Sequence, residues 1–130
     1  MSVNVVFFCY AFPPFPSPRS IQISHLARKT KHTIKIICAS ETKSVDSSLL
    51  ELVPSSLKIY RFHRRMKLPY QLQMKLPAWT RFPDTRVHWA RRTERKVRSK
   101  KLISSSDTLI TFGHPMSNHL AGYSLKKRLK

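Results

Sequence analysis

The sequence predicts an α/β fold, a three-layer Rossmann-like arrangement in which a parallel sheet of about four strands carries helices on both faces. Three observations carry that prediction. Short runs rich in Val, Ile and Phe alternate along the chain with segments of helical period. The first run is apolar at nearly every position, as in a strand buried on both faces. A strand–helix alternation of this kind closes most simply through right-handed crossovers into a parallel sheet.

Val3 to Tyr10 is the first strand by this reading. The segment that follows carries Pro13, Pro14, Pro16 and Pro18, so it can be neither helix interior nor central strand. Ser17 has the chemistry of an N-cap and Pro18 suits the first helical position. Ile23, Leu26, Ala27 and Thr30 recur at i, i+3, i+4 and i+7, which predicts a helix running to the region of Lys31. Ile34 to Ala39 is the second strand. Leu49, Leu50, Leu52 and Val53 suggest a short helix ended by Pro54, and Leu57 to Phe62 alternates as a third strand.

Thr85 to Ser104 reads as a long helix with Val87, Ala90 and Val97 on one side and a dense Arg/Lys face opposite. Asp107 to Phe112 is the fourth strand, with Asp107 as an ordinary strand-start residue. Gly113-His114-Pro115 breaks it, and Met116, Leu120 and Tyr123 open a last helix. Residues 63–83 fit neither period, and loops of that length inside a compact domain are commonly functional or disordered. No internal repeat is visible, so residues 1–130 are read as one domain.

Charge is the compositional outlier. The 130 residues hold 25 Lys+Arg against 6 Asp+Glu, a formal net charge of +19. Such a surface attracts polyanions and penalises its own compactness. Only 2 Gly exclude collagen-like and Gly-rich chains, and 41% hydrophobic residues are enough for a core. Cys9 and Cys38 lie in strand-like apolar runs and read as reduced, buried thiols. They form no disulfide framework and no four-ligand metal site. The N-terminus lacks the pattern of a secretory signal, and its apolar run is too short to span a bilayer. The expected location is cytoplasmic.

Three places could carry chemistry. The turn after the first strand leads into a helix start bearing Ser17, Arg19 and Ser20, a small anion-binding set. There is no G-x-G-x-x-G and no Walker lysine. The loop after the fourth strand, with Gly113, His114, Ser117 and His119, should emerge at the same end of the sheet. His114 and His119 do not have the i, i+4 spacing of a helical metal pair, and no metal is expected. The third place is cationic. Residues 63–83 include Arg64, Arg65, Lys67, Tyr70, Lys75, Trp79, Arg81 and Phe82, and the helix beyond adds Arg91, Arg92 and Arg95. Aromatic and aliphatic side chains beside Lys and Arg suit an anionic membrane surface. Without a finger, an RNA-recognition consensus or a helix-turn-helix pair, contact with nucleic acid would be nonspecific.

Several of these residues together resemble the opening of retaining glycosyltransferases of the GT-B fold, the group 1 or family 4 type. The resemblance rests on Phe8-Cys9-Tyr10-Ala11-Phe12-Pro13-Pro14, then a small-residue turn, Arg19 and a helix. Phe82-Pro83-Asp84 with Trp89 is similar to the family's Pro-Asp and Trp segment, and Asp107 to Leu120, ending Pro115-Met116-Ser117-Asn118-His119-Leu120, to its strand-four loop. The chain departs from the pattern where Phe15-Pro16-Ser17-Pro18 replaces glycines and Lys31-His32 stands for Gly-His. What the resemblance implies is an acceptor-side N-terminal domain, cut short, without the donor-binding domain and its paired glutamates.

Full-length relatives would transfer a sugar from a nucleotide-sugar donor to a lipid-linked or polysaccharide acceptor. Pro14, Ser17 and Arg19 would then line the cleft beside the donor phosphates, with Gly113, His114, Ser117 and His119 opposite. No catalytic residue is assigned and no cofactor is expected for this chain, which would be inactive alone; a separate chain carrying the second domain is a candidate partner. On this reading the protein is peripheral on the inner face of the membrane. The alternatives are a non-catalytic basic module for anionic membrane or nucleic acid, and a gene remnant without independent function.

Overall fold

The computed structural model describes residues 2–40, 44–64 and 69–129. Four strands, β1 (Asn4–Phe8), β2 (Thr33–Ser40), β3 (Lys58–His63) and β4 (Thr108–Thr111), form an all-parallel sheet in the order β3-β2-β1-β4. The helices are α1 (Pro18–Lys29), α2 (Tyr70–Met74), α3 (Val87–Ser99) and α4 (Ser117–Arg128). Short 3-10 turns occupy Ser47–Leu52 and Ala78–Arg81. The predicted α/β class and parallel sheet are therefore present.

Alternation along β1 builds two cores. Val6, Phe8 and Tyr10 pack with Trp89, Ala90 and Val97 of α3 and with Ala121 and Leu125 of α4. Val5, Phe7 and Cys9 turn the other way, onto Ile23 and Ala27 of α1. β2 does the same, with Ile37 and Ala39 on the α3 side and Ile34, Ile36 and Cys38 on the α1 side. Both central strands are thus covered on both faces, which explains why their sequences lack a polar alternation. Each fully buried Phe or Ile adds roughly 1.5–3 kcal/mol of burial free energy.

α1 begins as the sequence predicts: the Ser17 side chain accepts a hydrogen bond from Ser20 N at 3.1 Å, and Pro18 opens the helix. α3 is shorter than predicted, ending at Ser99 instead of Ser104. Lys101 adopts φ +50°, and Leu102 N donates to Val97 O at 3.0 Å, a Schellman-type stop with lysine where glycine is usual. The patch Leu49, Leu50 and Leu52 lies in the 3-10 turn Ser47–Leu52, which Val53 ends, and not in an α-helix.

The last helix forms, but turned from the face its apolar residues suggest. Met116, Leu120 and Tyr123 are exposed, while Ser117, Asn118, Ala121, Gly122 and Leu125 are buried. Small residues let α4 lie close to the sheet. A Cβ on Gly122 would collide with the Thr111 Cγ2 methyl. Asp107 is also more than a strand start. It is buried, bonds to Lys35 Nζ at 3.2 Å and accepts Ser104 N at 3.0 Å.

Candidate functional site

Two regions answer to the sequence-based candidates. The first is the carboxyl end of the sheet between β1 and β4. These strands pair directly, Phe8 against Thr111, yet their following helices lie on opposite faces. That is the topological switch point at which open α/β sheets leave a crevice. The loop with Pro14 and Ser17 and the loop with Gly113 and His114 leave these adjacent strands there, and Arg19 and His119 sit in the first turns of the helices that follow, α1 and α4.

Each loop is held by contacts that the sequence does not reveal. Pro14 O accepts Asp46 N at 2.9 Å, and Arg61, reaching over from β3, donates to Pro13 O. Ser17 spends its hydroxyl on the α1 cap. Arg19 is exposed and lies along the helix, with Nη1 3.3 Å from Gln22 Oε1. Among the described residues no hydrogen bond or ion pair joins it to the strand-four loop. In that loop His119 Nδ1 sits 2.7 Å from Thr111 Oγ1. A Cβ on Gly113 would approach His119 Nε2 to 3.1 Å. His114 is exposed at φ +45°.

Ser117 is brought to a different place. It is buried, and both its N and its Oγ bind the carboxylate of Asp84, at 2.8 and 3.0 Å. The same carboxylate accepts Arg86 N at 2.8 Å. One acid therefore caps α4, satisfies the approach to α3, and supplies the negative charge that a helix N-terminus favours. Next to it, Asn118 Nδ2 donates to Phe112 O at 3.0 Å. Asp84, Arg61 and Asn118 are the residues of this end of the fold that sequence reasoning did not assign. Pro83-Asp84 directly before a helical run was the one available signal.

The two thiols are not poised for nucleophilic chemistry. Burial pushes the Cys9 thiol well up, with Cys38 nearby adding to it against a lowering by Arg61. Burial takes Cys38 to about 12, again against Arg61, whose Nη1 lies 3.5 Å from its sulfur. Among the described residues no cluster of His, Cys, Asp and Glu is arranged to hold a metal ion.

The second region is cationic and apolar at once. After β3 the chain runs through α2 and the second 3-10 turn before entering α3. Trp79 is 78% exposed and Phe82 71%, and Leu72, Met74 and Leu76 are exposed beside them. The segment is nonetheless held locally. Arg81 Nη1 sits 3.0 Å from Met74 Sδ, and Thr80 Oγ1 donates to Pro77 O at 2.7 Å. Arg86 closes the segment, with its guanidinium 4.6 Å from the centre of the Tyr10 ring.

Lys75 is exposed with its apolar neighbours, and Arg64 and Arg81 are half-buried. On α3, Arg91 and Arg95 are exposed and Arg92 is half-buried, while Glu94 is buried within 4.0 Å of Arg98 and Arg128. Of the predicted contact residues, Arg65 and Lys67 lie outside the described residues, as does the side chain of Tyr70. Among the described residues no helix is long and apolar enough to cross a membrane.

Comparison with protein-family models, with curated proteins and with solved structures found no match.

Proposed function

We propose that this chain docks peripherally on an anionic membrane surface through the segment that joins β3 to α3. The observation that carries the reading is the exposure of Trp79 and Phe82, at 78% and 71%, in a chain with 25 Lys+Arg against 6 Asp+Glu. Large aromatic rings left in water cost free energy that a headgroup layer returns. Each Lys or Arg near an anionic surface adds about 1 kcal/mol, within a Debye length. Trp79 and Phe82 enter the interface, while Lys75 and Arg81 in the same segment meet lipid phosphates.

The protein carries its own reporter. Trp89 is buried, with Nε1 donating to Phe62 O at 3.0 Å, so a change in tryptophan emission on binding belongs to Trp79. Phosphatidylcholine vesicles containing phosphatidylserine should shift the emission to the blue, and pure phosphatidylcholine should not. Trp79→Ala should abolish the shift and weaken co-sedimentation. Emission that stays red while the protein co-sediments would mean charge adhesion alone. Tighter, steeply salt-dependent binding to RNA than to vesicles would replace this reading with a nucleic-acid one.

A second reading is favoured by the pairing of β1 with β4. The crevice between their loops suits the acceptor-side domain of a glycosyltransferase that uses a nucleotide sugar and a lipid-linked or polysaccharide acceptor. There Ser17, Arg19, His114 and His119 would border the phosphates, and a cationic cleft would stabilise charge on the leaving group. Isothermal titration with uridine diphosphate tests it. Measurable binding that Arg19→Ala removes supports a phosphate site, and identical titrations for both proteins exclude Arg19 from one.

A further inference from the structure

The two edges of the sheet are built differently. β3, at one edge, reads Lys-Ile-Tyr-Arg-Phe-His, with Lys58, Arg61 and His63 set along it. Charged side chains of this kind discourage a second chain from adding a strand. β4, at the other edge, reads Thr-Leu-Ile-Thr and carries no charge. Phe112 N donates to Phe8 O, toward β1. By the period of two, Leu109 and Thr111 turn their N–H and C=O groups to the open edge. Among the described residues no strand pairs with that edge.

Beside β4 lie exposed apolar side chains and an exposed lysine. Ile110, on the face shared with Phe112, is exposed. A recess of about 80 Å³ lies beside the strand, lined by Ile103, Leu109, Leu129 and Lys126, with Ser104, Ser105 and the buried Asp107 completing its wall. Lys126, in the last turn of α4, has no carboxylate partner among the described residues. Asp107, the acid nearest β4 in sequence, is committed to Lys35 and Ser104.

We propose that the β4 edge is a docking site for an acidic, strand-forming segment of a partner protein, which adds a fifth strand to the sheet. Its backbone pairs with Leu109 and Thr111, an apolar side chain covers Ile110 or enters the recess, and a carboxylate meets Lys126. Charge decides the occupant. A second copy of this chain would bring +19 against +19, whereas an acidic strand relieves the repulsion. The site is independent of the membrane reading, because it uses neither Trp79 nor Phe82.

The test uses the full chain, labelled with nitrogen-15, and an acetylated, amidated peptide alternating Glu with Val and Ile. The amides of Leu109 and Thr111 should become protected from hydrogen exchange and shift on titration. A peptide of equal charge alternating Glu with Gly should leave them unprotected. Ile110→Glu changes an exposed residue and should weaken the strand peptide about tenfold through like-charge repulsion. Three results would each overturn the proposal. In one, shifts spread over α3 without protection at β4. In another, the glycine peptide binds equally well. In the third, the edge is already protected in a dimer of this chain, seen by sedimentation.

Discussion

Trp79 and Trp89 stand ten positions apart in the chain and in opposite surroundings. Trp89 is 4% exposed, packs against the rings of Phe8 and Tyr10 and gives its indole N–H to Phe62 O. Trp79 is 78% exposed, in a turn whose neighbours are also apolar and uncovered. The same side chain is therefore a structural element in one place and a free surface in the other. The difference lies in what each is set against: a sheet covered on both faces, or a short turn with no sheet beneath it.

The sharpest way to break the contrast is Trp89→Ala. It removes a buried ring and an internal hydrogen bond, and it should cost about 3–5 kcal/mol in a denaturant titration. An effect below 1 kcal/mol would mean that α3 repacks freely. Asp84→Ala comes next. It strips the capping carboxylate from Ser117 and Arg86, and should cost about 1–3 kcal/mol by the same measurement. Hydrogen exchange should then rise in the first turn of α4 and not in α1.

A smaller effect belongs to acid. Burial pushes the Asp107 carboxyl up, but the Ser104 N–H and Lys35 outweigh it, so the net direction is below the usual carboxylate range. The stabilisation from this group is present above about pH 4 and is lost as the pH falls through the lower folded-state value. Asp107→Asn should flatten that part of the stability profile. Last is Trp79→Ala, which should change stability by no more than about 0.5 kcal/mol. Its effect should appear only with anionic vesicles, so a large loss of stability would show that Trp79 is part of the fold.

The strands and the first helix were legible because their signals are local. Ser17 before Pro18 needs only one turn of helix to act as a cap, and the Val/Phe and Ile runs declare burial on both faces. α4 was legible as a helix but not in its buried face, since Met116, Leu120 and Tyr123 share one helical face by spacing while the small Ser117, Ala121 and Gly122 share another. Only the distance to the sheet chooses between them, and Thr111 against Gly122 sets that distance. The stop of α3 at Ser99 was hidden because a lysine, Lys101, holds the left-handed position where a glycine would have marked it.

At the candidate crevice, residue types were readable and partners were not. Ser117 looked like a ligand-facing hydroxyl, but its partner Asp84 lies 33 positions earlier. Arg61 reaches back to Pro13 across 48 positions. The sequence alone determined the α/β class, the order of the four strands with α1, α3 and α4, and the cationic surface, because these depend on periodicity and composition within short windows. α2 and the 3-10 turn Ala78–Arg81 fall in the stretch 63–83 that reads as a loop. Tertiary structure alone decided which helix face is buried, which sheet edge stays open and which polar groups are already occupied. Those outcomes depend on contacts between distant segments, whose geometry no local pattern encodes.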